Sequence, residues 1–189
     1  MIPSQQLTTG RKPLAEIVVE GELSPFEDEA LYRILRKSFQ VEHPVYTELQ
    51  DENLVTRVNL TFHHSYDKTI FTNLLREDWR ELKDLFKQVT HRRGRAGAAF
   101  TFRFKASEIQ SVFNTGILSE NELGSALDQI GHLTAIVGQM LRPETMEKPV
   151  ELVETVFDRN SDRWFKFHGT SSTNENYVFD ESEFRWVPV

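Results

Sequence analysis

Four basic or titratable side chains fall within five residues at His91-Arg92-Arg93-Gly94-Arg95, in a chain whose net charge is −7. Such a cluster suits an anion, whether a phosphate, a nucleotide or an RNA backbone. Arg103 and Lys105 on the outward side of the following strand would extend it. This makes Arg92, Arg93, Arg95 and Arg103 the candidate anion-binding set. A local explanation competes and carries more weight: cations offset the carbonyl end of a helix, and Gly94 is the residue type expected just past that end. Phosphate cradles also place their glycines before a helix, whereas here they follow one.

Two further constellations could support acid–base chemistry. His63-His64 with Asp67 lies where a strand runs into a helix, a place for metal ligands or a proton-transfer pair. Adjacent strand residues point to opposite faces, however, so a loop histidine beside an N-capping Asp67 is the stronger reading. Asp78 falls within an apolar helical stripe containing Leu75, Leu82 and Leu85. A buried carboxylate is either a working acid or is paired, here with Arg57, a tryptophan N–H or a backbone donor, and pairing is favoured. Asp78 with His63 or His64 is the only catalytic combination the sequence offers, for a hydrolase or lyase. Asp158-Arg159-Asn160-Ser161-Asp162 opens like a calcium loop. Arg163 then stands where glycine is needed and Gly169 where glutamate is needed, so the segment reads as a turn. No metal site and no cofactor is expected.

Composition narrows the field further. There is no cysteine, which excludes disulfides, thiolate nucleophiles and zinc–thiolate sites. The acidic balance disfavours nucleic acid and anionic membranes. No stretch approaches the ~18 apolar residues of a membrane span, and no leader is evident, so a cytoplasmic location is the expectation. The aromatic set Trp164, Phe165, Phe167, Tyr177, Phe179, Phe184 and Trp186 could stack bases or sugars. Burial in a core or a subunit interface explains it better, because basic residues are not interleaved.

These residues must be positioned by the following elements. Residues 1–12 read as a mobile tail and 13–189 as one domain. Leu14 to Glu22 is a strand. Ser24-Pro25-Phe26-Glu27 is a capping box opening a helix to about Phe39. Val45–Leu49 and Leu54–Phe62 read as a hairpin through Gln50 to Asn53. A long helix runs from Ser65 or Asp67 to about His91, followed by a strand at Ala98–Lys105 with Phe100, Phe102 and Phe104 facing the core. Ser107 to Asn114 reads as a short helical turn. Residues 150–189 form a β-rich C-terminal meander. The fold class is α+β: a mixed or antiparallel sheet with about three major helices packed on it.

The segment Glu120–Leu141 reads as one helix, opened by the capping box Ser119-Glu120-Asn121-Glu122. It carries glycine at 124, 131 and 138. Each costs about 1 kcal/mol in a helix relative to alanine, so a stripe of them suggests a seat for a closely approaching backbone. With apolar residues around most of its circumference, this helix is expected to pair with its copy. Gly124, Gly131, Ala135 and Gly138 are then the interface. The favoured reading is a non-enzymatic, homo-oligomeric interaction or regulatory protein acting as a homodimer and with room for a protein partner. Phosphate-ligand or RNA binding and small-molecule hydrolysis are the alternatives.

Overall fold

The computed structural model describes residues 10–48 and 54–189. All ten strands belong to one sheet, ordered β10-β9-β8-β7-β6-β5-β4-β1-β2, with β3 also paired to β1. The strands are β1 (Leu14–Glu20), β2 (Gln40–Val41), β3 (Val45–Thr47), β4 (Thr56–Phe62), β5 (Ala98–Lys105), β6 (Gln110–Ile117), β7 (Val150–Asp158), β8 (Arg163–Ser171), β9 (Asn176–Asp180) and β10 (Arg185–Pro188). Four α-helices, α1 (Pro25–Leu35), α2 (Asp78–Arg93), α3 (Glu120–His132) and α4 (Thr134–Met140), lie on one face. The architecture is α+β with a C-terminal strand meander.

Both capping boxes form. Ser24 accepts from the Glu27 N–H while the Glu27 carboxylate accepts from the Ser24 N–H, and Ser119 with Glu122 repeats the arrangement. Each satisfies two backbone donors that a helix start leaves open. Gly94 ends α2 at φ 52°, a conformation that suits glycine.

The core is aromatic. Phe62, Phe100, Phe102, Phe104 and Phe113 line the helix-facing side of three adjacent strands, and Phe86 of α2 packs on Phe100 with ring centroids 4.5 Å apart. All three tryptophans anchor the α3–α4 layer. The Trp79 indole donates to the Leu127 carbonyl at 3.1 Å, Trp164 to Ala126 at 2.9 Å and Trp186 to Met140 at 2.8 Å. The Tyr66 hydroxyl donates to the Ile130 carbonyl. A carbonyl has two lone pairs, so one inside a helix can accept a side-chain donor as well as its helical partner.

Several local expectations give way to long-range pairing. Residues 45–62 do not form a hairpin: β3 pairs parallel with β1 (Val18 opposite Val45), while β4 pairs antiparallel along the other side of β1 (Ile17 opposite Leu60). The expected hairpin loop at 50–53, like most of the expected N-terminal tail, lies outside the described residues. The stretch read as a helical turn is largely β6, which is held between β5 and β7. Neighbours on both sides override its weak local preference. The long helix before Gly94 is two pieces. Asp67 accepts from the Thr69 N–H, a wide turn spans Ile70–Leu74 with the Leu75 N–H reaching the Ile70 carbonyl, and α2 follows. The wide turn allows Ile70, Leu75 and Trp79 all to be buried. The glycine-bearing helix also divides, at Leu133, whose N–H is shared between the Gln129 and Ile130 carbonyls.

The crossovers have an unusual handedness. β4–α2–β5 and β6–α3/α4–β7 each join parallel neighbours and advance in the same direction across the sheet, yet β5 and β6 are antiparallel. Two crossovers of the same hand would then put α2 and α3 on opposite faces. The bond from Trp79 of α2 to Leu127 of α3 puts them on the same face. The two connections therefore have opposite hands, and one of them is left-handed, although roughly 98% of such connections are right-handed.

Candidate functional site: an uncovered sheet face and an end trough

The sequence candidates are dispersed. Arg92 forms a two-pronged contact with Glu27 (2.7 Å at both oxygens) and also reaches the Glu22 carbonyl. Arg93 donates to the Leu54 carbonyl. His91 pairs with Glu120 at 2.7 Å. Arg103 lies on the opposite face of the sheet from α2, bonded to Gln110 at 2.7 Å. Arg92 and Arg93 are thus committed within the chain, and the four arginines do not converge. Burial alone would push the Glu27 carboxyl up. The Arg92 guanidinium and the Ser24 N–H outweigh burial and hold it below the usual range.

Asp78 is buried, at 5% exposure, as the apolar stripe implied. Its partners are Ser38, whose hydroxyl donates at 3.0 Å, and Lys37 at 3.4 Å, both just beyond α1. His63 pairs with Glu16 at 2.7 Å, and His64 faces the Ser65 carbonyl. Glu16 is on the face away from the helices, so Asp78 and His63 lie on opposite sides of the sheet with no shared cavity. Among the described residues no three histidine, aspartate or glutamate side chains gather as metal ligands. No helix there is long and apolar enough to cross a membrane.

The glycine stripe is occupied from within the chain at two of its four positions. A Cβ added at Gly124 would lie 2.9 Å from Cε of Lys87, and one at Gly131 3.8 Å from Phe71. Ala135 and Gly138 face outward, and nothing lies within 4 Å of a Cβ built at Gly138. The break at Leu133 separates the two halves, so no single groove remains for a second helix.

What is left open is the other face of the sheet. Among the described residues no element covers it, and the strand registers set its side chains in rows. One row runs Glu16, Thr61, Arg103, Val112, Glu154, His168, Val178, Val187 from β1 to β10. The next runs Val18, Asn59, Thr101, Asn114, Val156, Phe165. Apolar residues concentrate at the β6–β10 end, where Val156 is 56% exposed and Val187 37%. A bulge in β8 puts Lys166 at φ 54°, beside a hollow of about 410 Å³ that Val156, Phe165 and His168 help to line. Arg163 stacks on Phe165 with its guanidinium carbon 4.5 Å from the ring centre.

A second concavity lies at one end of the sheet. A trough of about 610 Å³ is walled by Ile109, Leu141, Pro143, Met146, Pro149 and Val150, with carboxylates Glu108, Glu147 and Glu151 around it. It runs through Glu108, Ile109 and Leu141 into a smaller hollow of about 270 Å³ beside Tyr66 and Ser111. The sequence pointed to the first feature only through Phe165, one of the aromatic set read as core or subunit interface, and to the trough not at all. Pro143 to Pro149 have only turn-prone composition, Val150 and Glu151 fell at the start of the expected meander, and Glu108 lay in the stretch read as helical.

No known protein family matches the chain, and comparison with curated proteins and with solved structures finds no match either.

Proposed function

We propose that the chain is a non-enzymatic interaction protein that self-associates through the uncovered sheet face. The observation that carries this reading is the uncovered sheet face, where exposed Val156 and Val187 and half-buried Phe165 and Val178 are interspersed with Glu154, Lys166 and His168. Exposed apolar surface among polar groups marks interaction sites. Centred on the β7/β8 seam, the six strands β5–β10 at about 4.8 Å spacing and a depth of about five residues present ~500 Å² of projected area, which makes this a small contact beside the ~800 Å² that each partner gives to a standard interface.

The rows suit a second copy. A two-fold axis along the β7/β8 seam sets Val156 of one copy against Phe165 of the other, and Glu154 against His168. At the seam itself an apolar group meets an apolar group and a carboxylate meets an imidazole, which is the self-complementarity an isologous contact needs. Face-to-face sheets cross at about 30°, so this match is confined to strands near the axis.

Light scattering at tens of micromolar tests the reading. The wild-type chain should give about twice its 22.0 kDa mass. Val156→Asp leaves the core untouched and places two carboxylates in the contact, so it should give the monomer mass. A wild-type monomer at this concentration, or a Val156→Asp dimer, refutes the proposal.

A further inference from the structure

We infer that the end trough binds an extended peptide segment of a partner protein in which apolar residues alternate with lysine or arginine. The inference is independent of self-association, since no trough residue belongs to the β7/β8 contact described above.

The trough's shape and lining come first. Ile109, Leu141, Met146 and Val150 give it an apolar wall, and Pro143 and Pro149 stiffen the segment that forms one side. Its volume of about 610 Å³ lies within the ~300–1,000 Å³ typical of ligand sites, and it shares Glu108, Ile109 and Leu141 with the smaller hollow. Two hollows joined at Glu108, Ile109 and Leu141 give room for successive residues of a chain segment. Met146 supplies an adaptable contact, since an unbranched thioether side chain fits varied partners.

Charge then names the occupant. Some carboxylates of the structure have a cation: Glu27 has Arg92, Glu81 has Lys37, Asp128 has Lys83, Glu122 has Arg159 and Glu175 has Lys148. Glu108, Glu147 and Glu151 have none among the described residues. Lys148 lies between two of them in sequence, yet it pairs with Glu175. Three unpaired carboxylates around an apolar wall repel an acidic or anionic ligand and complement a cationic one. Tyr66 adds no free polar group, because burial pushes its phenol up and its hydroxyl is held by the Ile130 carbonyl.

The probes are three blocked hexapeptides, alternating leucine with lysine, serine with lysine, and leucine with glutamate, titrated into the full chain and read by backbone amide NMR. The leucine–lysine peptide should saturate, with shifts confined to residues 106–111 and 141–151. The serine–lysine peptide should bind at least severalfold more weakly, and the leucine–glutamate peptide should not bind. The combined Glu108→Gln, Glu147→Gln and Glu151→Gln variant should bind the leucine–lysine peptide about tenfold more weakly, at roughly a factor of two for each exposed ion pair. All three positions are exposed, so the variant should keep the wild-type spectrum elsewhere. Equal binding of the serine–lysine peptide would show a diffuse charge effect and overturn the inference. So would shifts spread over the acidic surface, an unaffected variant, or equal affinity for 4-phenylbutylamine as a small cationic probe.

Discussion

Replacing Arg92 by methionine separates two explanations for the basic cluster, an anion site and a structural pair. Methionine keeps most of the apolar stem and removes the guanidinium, leaving Glu27 buried with only the Ser24 interactions. Breaking a fully buried pair costs ~3–5 kcal/mol. The Arg92 side chain is 38% exposed, so solvent screens part of the interaction and about 2 kcal/mol is the expected loss near neutral pH. The pH dependence carries the decisive information. In the wild type the Glu27 carboxyl is held below its ordinary value of 4.5, so its stabilisation is present above that value and is lost as pH falls through the folded one. In the variant the main force opposing burial is gone, the folded pKa rises, and ionised Glu27 becomes a burden at neutral pH. Protonation removes that burden. Urea unfolding should therefore show a deficit of about 2 kcal/mol near pH 7 that shrinks below ~1 kcal/mol near pH 4. A deficit equal at both pH values would mean that the guanidinium acts through a neutral partner such as the Glu22 carbonyl and not through the charge of Glu27, and no deficit would mean that the pair is not structural.

Three further substitutions probe the helix layer and the meander. Gly169→Ala should cost ~1–3 kcal/mol and alter the near-ultraviolet tryptophan signal, because the new Cβ would lie 2.8 Å from the Trp186 ring and 3.0 Å from Val150. Trp164→Phe removes the bond to Ala126 and part of a buried ring, for a loss of about 2 kcal/mol measured by urea unfolding. Gly138→Ala meets no neighbour and improves helix propensity, so it should raise stability by up to ~1 kcal/mol and leave the light-scattering mass unchanged. If it abolished association instead, the glycine face would return as the interface.

Local chemistry was legible in the chain. Ser24 to Glu27 and Ser119 to Glu122 mark real helix starts, Ala98–Lys105 has the bounds its alternation implied, and the C-terminal meander follows its turn residues. These features depend on neighbours a few residues away. What failed depends on distant partners. β6 is a strand because β5 and β7 flank it, and β3 and β4 are separated because β1 lies between them. Asp78 shows the division within one residue. Helical spacing placed it among buried positions, while its partners Lys37 and Ser38 lie about forty residues earlier and have no periodic relation to it. The trough was hidden for the same reason, since it joins the 106–109 turn to 141–151 only after the sheet has formed.

The free face of the sheet follows from the crossover handedness, and this links the tryptophans to the proposed association. With two crossovers of the same hand, α3 and α4 would lie on the face that carries Val156 and Phe165, and the apolar patch would be part of the core. The opposite hand costs the chain a connection that few proteins adopt. The interactions that hold it there are specific: the indoles of Trp79, Trp164 and Trp186 bond to carbonyls at Leu127, Ala126 and Met140, all on the α2 side of the sheet. Each net hydrogen bond contributes only about 1 kcal/mol, but the three rings also bury large apolar areas on the same side. The helix layer is therefore concentrated on one face by the residues that most favour burial, and the other face is left with an alternating row of charged and apolar groups. That row cannot close a core by itself, because Arg103, Glu154 and His168 interrupt it. A second copy placed over the β7/β8 seam would set Glu154 against His168 and Val156 against Phe165, with Arg103 at the margin opposite Val187.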